Sequence, residues 1–194
     1  KSGVITEVAA ILAFSAIQNN DKVGVIFFSN KVERFIAPAK GRTHILRIIR
    51  EMINFKAEEK GTNIEEALRY LTNAVKKKCT AFILSDFMDV DFSKALRIAS
   101  RKHDLGAIRI YDERETELPN IGLVKLLDSE SGKEHWVDTT DARVRENYRQ
   151  HYLQHVQLTN KLLRSAGVDS VEINTQDDYV KPLLKLFKMR ESRY

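Results

Sequence analysis

The stretch Cys79-Thr-Ala-Phe-Ile-Leu-Ser-Asp-Phe-Met-Asp89 decides how the chain is read. It is apolar from Ala81 to Leu84 and turns polar at Ser85-Asp86. A short continuous apolar run closed by polar turn residues predicts a strand buried on both faces. In an open parallel sheet, ligands bind beyond the carboxyl ends of the strands, and Asp86 is expected at such an end.

Two further runs share the pattern: Val23-Gly-Val-Ile-Phe-Phe28 and Leu105-Gly-Ala-Ile-Arg-Ile110. Helical spacing fills the intervals between them. Residues 4–18 are apolar almost all round, as in a helix buried against a sheet. Thr43 is expected to cap a helix that buries Ile45, Leu46, Ile49, Met52 and Ile53. Gly61-Thr62-Asn63-Ile64-Glu65 opens another, with Ile64, Leu68, Leu71 and Val75 on one side. Asp91 or Phe92 starts a third, ending near His103. The polar run Lys31–Ile36, stopped by Pro38, predicts an antiparallel edge strand.

Beyond residue 120 the pattern changes. Leu123–Leu127 and His135–Val137 flank the turn-rich Asp128–Gly132 and predict a hairpin. Residues 139–166 form the longest predicted helix, closed by Gly167. Val168–Ile173 is a last strand, and Asp177 or Asp178 caps a last helix that tolerates Pro182 in its first turns. The order of elements predicts one domain over residues 1–194. It is a doubly wound, mostly parallel α/β sheet of Rossmann type with helices on both faces, extended from about residue 120 by hairpin, helix, strand and helix.

Composition narrows the function classes. A chain of 194 residues buries roughly 70% of its unfolded surface and folds without disulfide or metal staples. No apolar run approaches the ~20 residues of a membrane span, and Lys1-Ser2-Gly3-Val4 has no signal-peptide pattern. The single cysteine, Cys79, is expected to be an inert core thiol, which suits a reducing, cytoplasmic setting. The net charge is +5, from 32 Lys and Arg against 27 Asp and Glu. Its densest spots, Lys76-Lys77-Lys78 and Lys185, Lys188, Arg190 and Arg193, read as helix ends favoured by the helix dipole rather than a nucleic-acid patch.

Enzyme signatures are absent from the sequence. It has no Gly-Lys-Ser/Thr phosphate loop, no Gly-x-Gly-x-x-Gly after a strand and no Gly-x-Ser-x-Gly elbow. His151 and His155 stand four apart on the long helix, as two metal ligands can, but no third ligand accompanies them. Thr62-x-x-Glu65 predicts a capping box, and Asp86 is expected to receive N–H groups in its own loop. Asp86, Asp89 and Asp112 could gather for metal-assisted phosphoryl transfer, although no lysine or nucleophilic acid is placed beside them.

Three segments in order carry a family likeness: Asn19-Asn-Asp-Lys-Val-Gly-Val-Ile-Phe-Phe-Ser29, Lys60-Gly-Thr-Asn-Ile-Glu-Glu-Ala-Leu68 and Phe82-Ile-Leu-Ser-Asp-Phe87. Together they resemble a von Willebrand factor A domain. The closer resemblance is to the bacterial family numbered fifty-eight among domains of unknown function. Asp112-Glu-Arg-Glu115, Glu117-Leu-Pro119, Asp128 to Gly132, Val137-Asp-Thr139 and Val144-Arg145 extend it over nearly the whole chain.

The resemblance implies a metal-ion-dependent adhesion site, usually holding Mg²⁺, in which Thr62 and Asp86 match the family's threonine and second aspartate. Oxygen ligands of this kind suit a hard cation. The family's Asp-x-Ser-x-Ser is not found before Ile5, nor is an apolar run for the first central strand, which belongs between the strands at Val23 and Phe82. Thr62 and Asp86 alone are expected to be too few for tight binding. The resemblance further implies a non-enzymatic interaction domain that works with a MoxR-type AAA+ ATPase in protein maturation or assembly. In that reading the loops Lys56–Gly61, Phe87–Asp91 and Asp112–Glu115 set specificity. Two exposed strand edges predict dimerisation through strand pairing.

Overall fold

The structure is a computed structural model that describes residues 1–59, 61–89, 91–127 and 134–191. In chain order the elements are α1 (Ser2–Gln18), β1 (Val23–Phe28), β2 (Val32–Ala39), α2 (Arg42–Asn54), α3 (Ile64–Ala74), β3 (Thr80–Ser85), α4 (Ser93–Lys102) and β4 (Asp104–Tyr111). A 3₁₀ turn (Glu113–Glu115) follows, then β5 (Leu123–Leu127), β6 (Glu134–Asp138), α5 (Ala142–Ser165), β7 (Asp169–Asn174) and α6 (Val180–Glu191). The loop read as Asp128–Gly132 lies outside the described residues.

The centre is a parallel sheet in the order β3-β4-β7, with Leu84 beside Ile108 and Ile108 beside Val171. Period-two alternation sends successive side chains to opposite faces. Ile108, Ile110, Val171 and Ile173 pack with Val8 of α1 and Leu183 and Leu186 of α6. Leu105, Ala107 and Ile83 face the other way, into Leu68 of α3, Leu96 and Ala99 of α4 and Leu163 of α5. Helices therefore cover both faces, which is why these strands read as unbroken apolar runs.

A second ladder joins β1 and β2 antiparallel. Phe27 and Ile36 face Ile48 of α2 on one side, while Phe28 reaches the α3–α4 core on the other. Helix α1 packs against α2, and α3 touches β1 and β2 as well as α4. The helices thus bridge the two ladders. No described ladder joins β1 to β3, and each ends its sheet.

Several sequence expectations shift by a residue or a role. Pro38 does not stop β2, which runs on to Ala39. The ladder slips between Val23 and Val25, and a Cβ on Gly24 would stand 2.8 Å from the Ile36 carbonyl oxygen and 2.9 Å from Pro38 N. Glycine at 24 permits that close approach. Thr43 is not the cap of α2, whose N-cap is Gly41 with φ 100°. Thr62 is not the cap of α3. Asn63 is, its side-chain oxygen accepting the Glu66 N–H at 2.8 Å. The longest helix begins at Ala142 behind an Asp141 cap, and Gly167 follows its end at φ +71°. The cysteine precedes β3 instead of lying in it. It is half-buried, with Sγ 3.3 Å from His103 Nδ1, and burial raises its pKa, so it stays a protonated thiol.

Candidate functional site

The carboxyl end of β3 is built by local side-chain-to-backbone bonds. Ser85 Oγ accepts the Phe87 N–H at 3.1 Å, and Asp86 Oδ1 accepts the Met88 N–H at 3.2 Å. Phe87 between them is buried and has φ +57°. A left-handed conformation in a bulky residue is strained and persists only where its surroundings impose it. The surroundings do so here. The phenyl packs against Phe92 with ring centroids 6.0 Å apart, and the carbonyl accepts a hydrogen bond from His155 Nε2 at 2.6 Å.

His155 belongs to a stripe on α5. Tyr148, Tyr152 and His155 recur at helical spacing, and each grips an end of the central sheet. The Tyr148 hydroxyl donates to the Glu115 carbonyl at 3.0 Å. Burial, then the charge of Glu115, raises the Tyr148 pKa, so the phenol keeps its proton. Tyr152 Oη accepts from the guanidinium of Arg109, which is buried in β4, paired with Glu172 at 2.9 Å and stacked 4.5 Å over Tyr111. The pair of four-apart histidines is therefore not a metal pair. His151 is exposed, and His155 is a fastener.

The same turn holds the start of α3. Asp89 Oδ2 accepts the Ile64 N–H at 2.6 Å, and Asn63 N–H donates to the Ser29 carbonyl at 2.8 Å. Gly61, at φ +96°, lies where a Cβ would come within 3.4 Å of the Asn30 side chain. The ends of β1 and β3 and the start of α3 thus form one rim. Thr62 sits on it exposed, with no polar contact to a described residue.

Asp86 is occupied differently from its expected role. Its Oδ2 receives the Lys1 ammonium at 3.1 Å, and the same ammonium pairs with Glu115. Burial pulls the Lys1 pKa down, but the Glu115 and Asp86 carboxylates outweigh it and leave it above its ordinary value. Asp112 serves its own turn, accepting the Arg114 N–H at 3.0 Å, the main reason its pKa is lowered. The three aspartates therefore do not gather into a carboxylate cluster: one holds an ammonium, one a helix start and one a 3₁₀ turn.

These donors do not fit a divalent cation. Both oxygens of Asp86 are engaged, and Thr62 offers one neutral hydroxyl. Among the described residues no group of three or more His, Cys, Asp or Glu is placed to hold a metal ion. The sequence had flagged Asp86 and Thr62. It pointed to His155 only as half of a metal pair and to Asp89 only as part of a carboxylate cluster, and it missed the cap role of Asn63, which carried a signal, since asparagine caps helices as well as threonine does.

This is an α/β fold with a parallel sheet flanked by helices and a polar rim at its carboxyl edge. The model of the family described as "Protein of unknown function DUF58" matches residues 1–157, and the chain belongs to that family. Uncharacterized proteins of Mycobacterium bovis and Mycobacterium tuberculosis are 24% identical over 98% of this chain and 61% of their own length. The chain thus spans about three fifths of these curated relatives. One solved structure, a conserved hypothetical protein BatB from Bacteroides thetaiotaomicron, superposes with a TM-score of 0.54 at 14% identity, covering 96% of this chain and 87% of that one. Another, an aerotolerance-related membrane protein from Bacteroides fragilis, has a TM-score of 0.54 at 13% identity, covering 95% and 89%. These two likenesses concern the fold. Among the described residues no helix is long and apolar enough to cross a membrane.

Proposed function

We propose that this chain is a non-enzymatic, von Willebrand factor A-like protein-interaction domain whose partner binds the rim around Asp86. The observation that carries the reading is the α5 stripe. Tyr148 and His155 fix two separate turns at the sheet's carboxyl edge, at Glu115 and Phe87, and the second is held in a strained conformation. A pre-organised rim of half-exposed polar groups suits recognition, because little ordering remains for the moment of binding. The separate engagements of Asp86, Asp89 and Asp112 favour this over phosphoryl transfer, which needs carboxylates converging on one ion.

The doubly wound arrangement belongs to the same reading. It is supported by helices on both sheet faces and by the outer edges of β1 and β3, which no described strand pairs with. A strand between those edges would complete the sheet, and without one they invite pairing between copies of the chain. Mg²⁺ at the rim would need oxygens beyond those the described residues gather there, and displacement of Lys1. The partner class implied by the family resemblance is a MoxR-type AAA+ ATPase in the cytoplasm, acting in maturation or assembly of other proteins.

Titration calorimetry with a purified MoxR-type ATPase from the same genome tests this. Binding that weakens about tenfold or more in Asp86→Ala, with unchanged circular dichroism, is expected. Equal binding by the variant, or turnover of a phosphate ester by the chain in Mg²⁺, would overturn it.

A further inference from the structure

Helix α2 turns two aliphatic side chains outward among cations. Ile45 and Ile48 are buried against the β1–β2 ladder, yet Leu46 is 49% exposed and Ile53 68% exposed. Seven residues apart, these two lie on one line of the helix, with Arg42 and Arg50 four residues to either side of Leu46. Arg47 is exposed on the same helix. The ladder brings more positive charge. Val23 pairs with Ala39, so the exposed Lys22 and the neighbouring Lys40 come together at its end. His44 holds that end against α2 through a 2.8 Å bond to the Val23 carbonyl.

None of these five cations makes an ion pair with a described carboxylate. The acids nearest in sequence are Asp21 and Glu51, and Glu51 is taken by Arg34. Some exposed cations elsewhere are paired, as Lys31 is with Glu58 and Glu59, Arg149 with Glu117 and Lys125 with Glu134, while others, such as Lys76, Lys77 and Lys78, pair with no described carboxylate.

The mixture of chemistry selects the occupant. Nucleic acid uses the arginines but gains nothing from bare aliphatics, and α2 carries no Phe, Tyr or Trp on which bases could stack. A protein partner would want the apolar pair inside a groove. The surface here is instead a shallow concavity of 700 Å³ whose only apolar lining residue is Leu46, while Ile53 stands proud. A bilayer takes protruding aliphatics at its acyl boundary without a matching pocket, and its anionic headgroups take the cations. We propose that the outer face of α2 and the adjoining ladder end dock on an anionic phospholipid surface. The cations meet headgroup phosphates there, and Leu46 and Ile53 insert among the acyl chains.

Vesicle sedimentation of the 194-residue chain tests the proposal. One set of vesicles is phosphatidylcholine alone, and the other contains about a quarter phosphatidylglycerol. Partition to the anionic vesicles should exceed that to the neutral ones by about tenfold or more and fall steeply with salt. Reversing the charges together (Arg42→Glu, Arg47→Glu, Arg50→Glu) should remove that preference. Leu46→Ser with Ile53→Ser should weaken partition about fivefold while keeping its salt dependence. Both variants alter exposed side chains, and circular dichroism checks that each stays folded. Failure of the folded wild-type chain to sediment with anionic vesicles overturns the proposal, as does undiminished binding by the charge-reversed variant. Tighter binding to a duplex DNA oligomer or to polyglutamate would assign the face to nucleic acid or an acidic protein instead.

Discussion

His155 donates from Nε2 to the carbonyl of Phe87 at 2.6 Å, joining the middle of α5 to a strained residue 68 positions earlier in the chain. The bond satisfies a carbonyl that the left-handed turn removes from regular pairing. Without it the turn keeps its strain and loses a partner. His155→Ala is expected to destabilise the fold by about 1–3 kcal/mol, the usual cost of orphaning a buried polar group. It should also shift the amide resonances of residues 86–89. Urea denaturation with amide NMR measures both, and a change under about 0.5 kcal/mol with unmoved resonances would show that Phe87 is held by packing alone.

The start of α3 offers a comparison within one turn. Asn63→Ala and Asp89→Ala each remove an acceptor from a free helix N–H, and each should cost about 1 kcal/mol. Thr62→Ala should cost almost nothing, because Thr62 makes no polar contact with a described residue. Thermal unfolding of the three variants ranks them. A Thr62 effect as large as that of Asn63 would restore the capping box.

His103 gives the fold a pH dependence. It is 1% exposed, and its Nε2 has no hydrogen-bond partner among the described residues. Burial, then the nearby Lys102, lowers its pKa from the ordinary 6.5. A histidine kept neutral by folding contributes stability that is present above pH 6.5 and is lost as pH falls through the lowered folded value. Stability should therefore decline on acidification below about pH 6.5, and His103→Gln should flatten that limb. Denaturation midpoints across pH 5 to 8 test it; identical slopes for wild type and variant would contradict it.

Gly106 lies under an aromatic ring. A Cβ there would stand 2.8 Å from Phe82 Cδ1 and 3.2 Å from an Arg190 guanidinium nitrogen. Arg190 is itself fixed, bonded to the Leu105 carbonyl at 3.0 Å and paired with Asp104. Gly106→Ala should cost about 1–3 kcal/mol through overpacking. Calorimetric melting measures it, and an unchanged midpoint would show that the ring yields freely.

Strands β1, β3 and β4 were legible because burial on both faces writes an apolar run into the chain, and Asp86 was legible as the polar residue that ends one of them. What holds the rim was not. Arg109 interrupts the run Ala107-Ile-Arg-Ile110 like a surface residue. Its burial depends on Tyr152 and Glu172, 43 and 63 residues away. The partner of His155 is a main-chain carbonyl, which no side-chain pattern reveals. Lys1 on Asp86 was equally hidden, since an ion pair between residues 85 apart leaves no periodicity.

Hydrogen exchange of the chain with and without a MoxR-type ATPase tests the central claim most directly. Slowed exchange confined to residues 61–64, 86–89 and 112–115, and abolished by Asp86→Ala, is the expected result. Unchanged exchange at all three turns in the presence of a bound ATPase would contradict it.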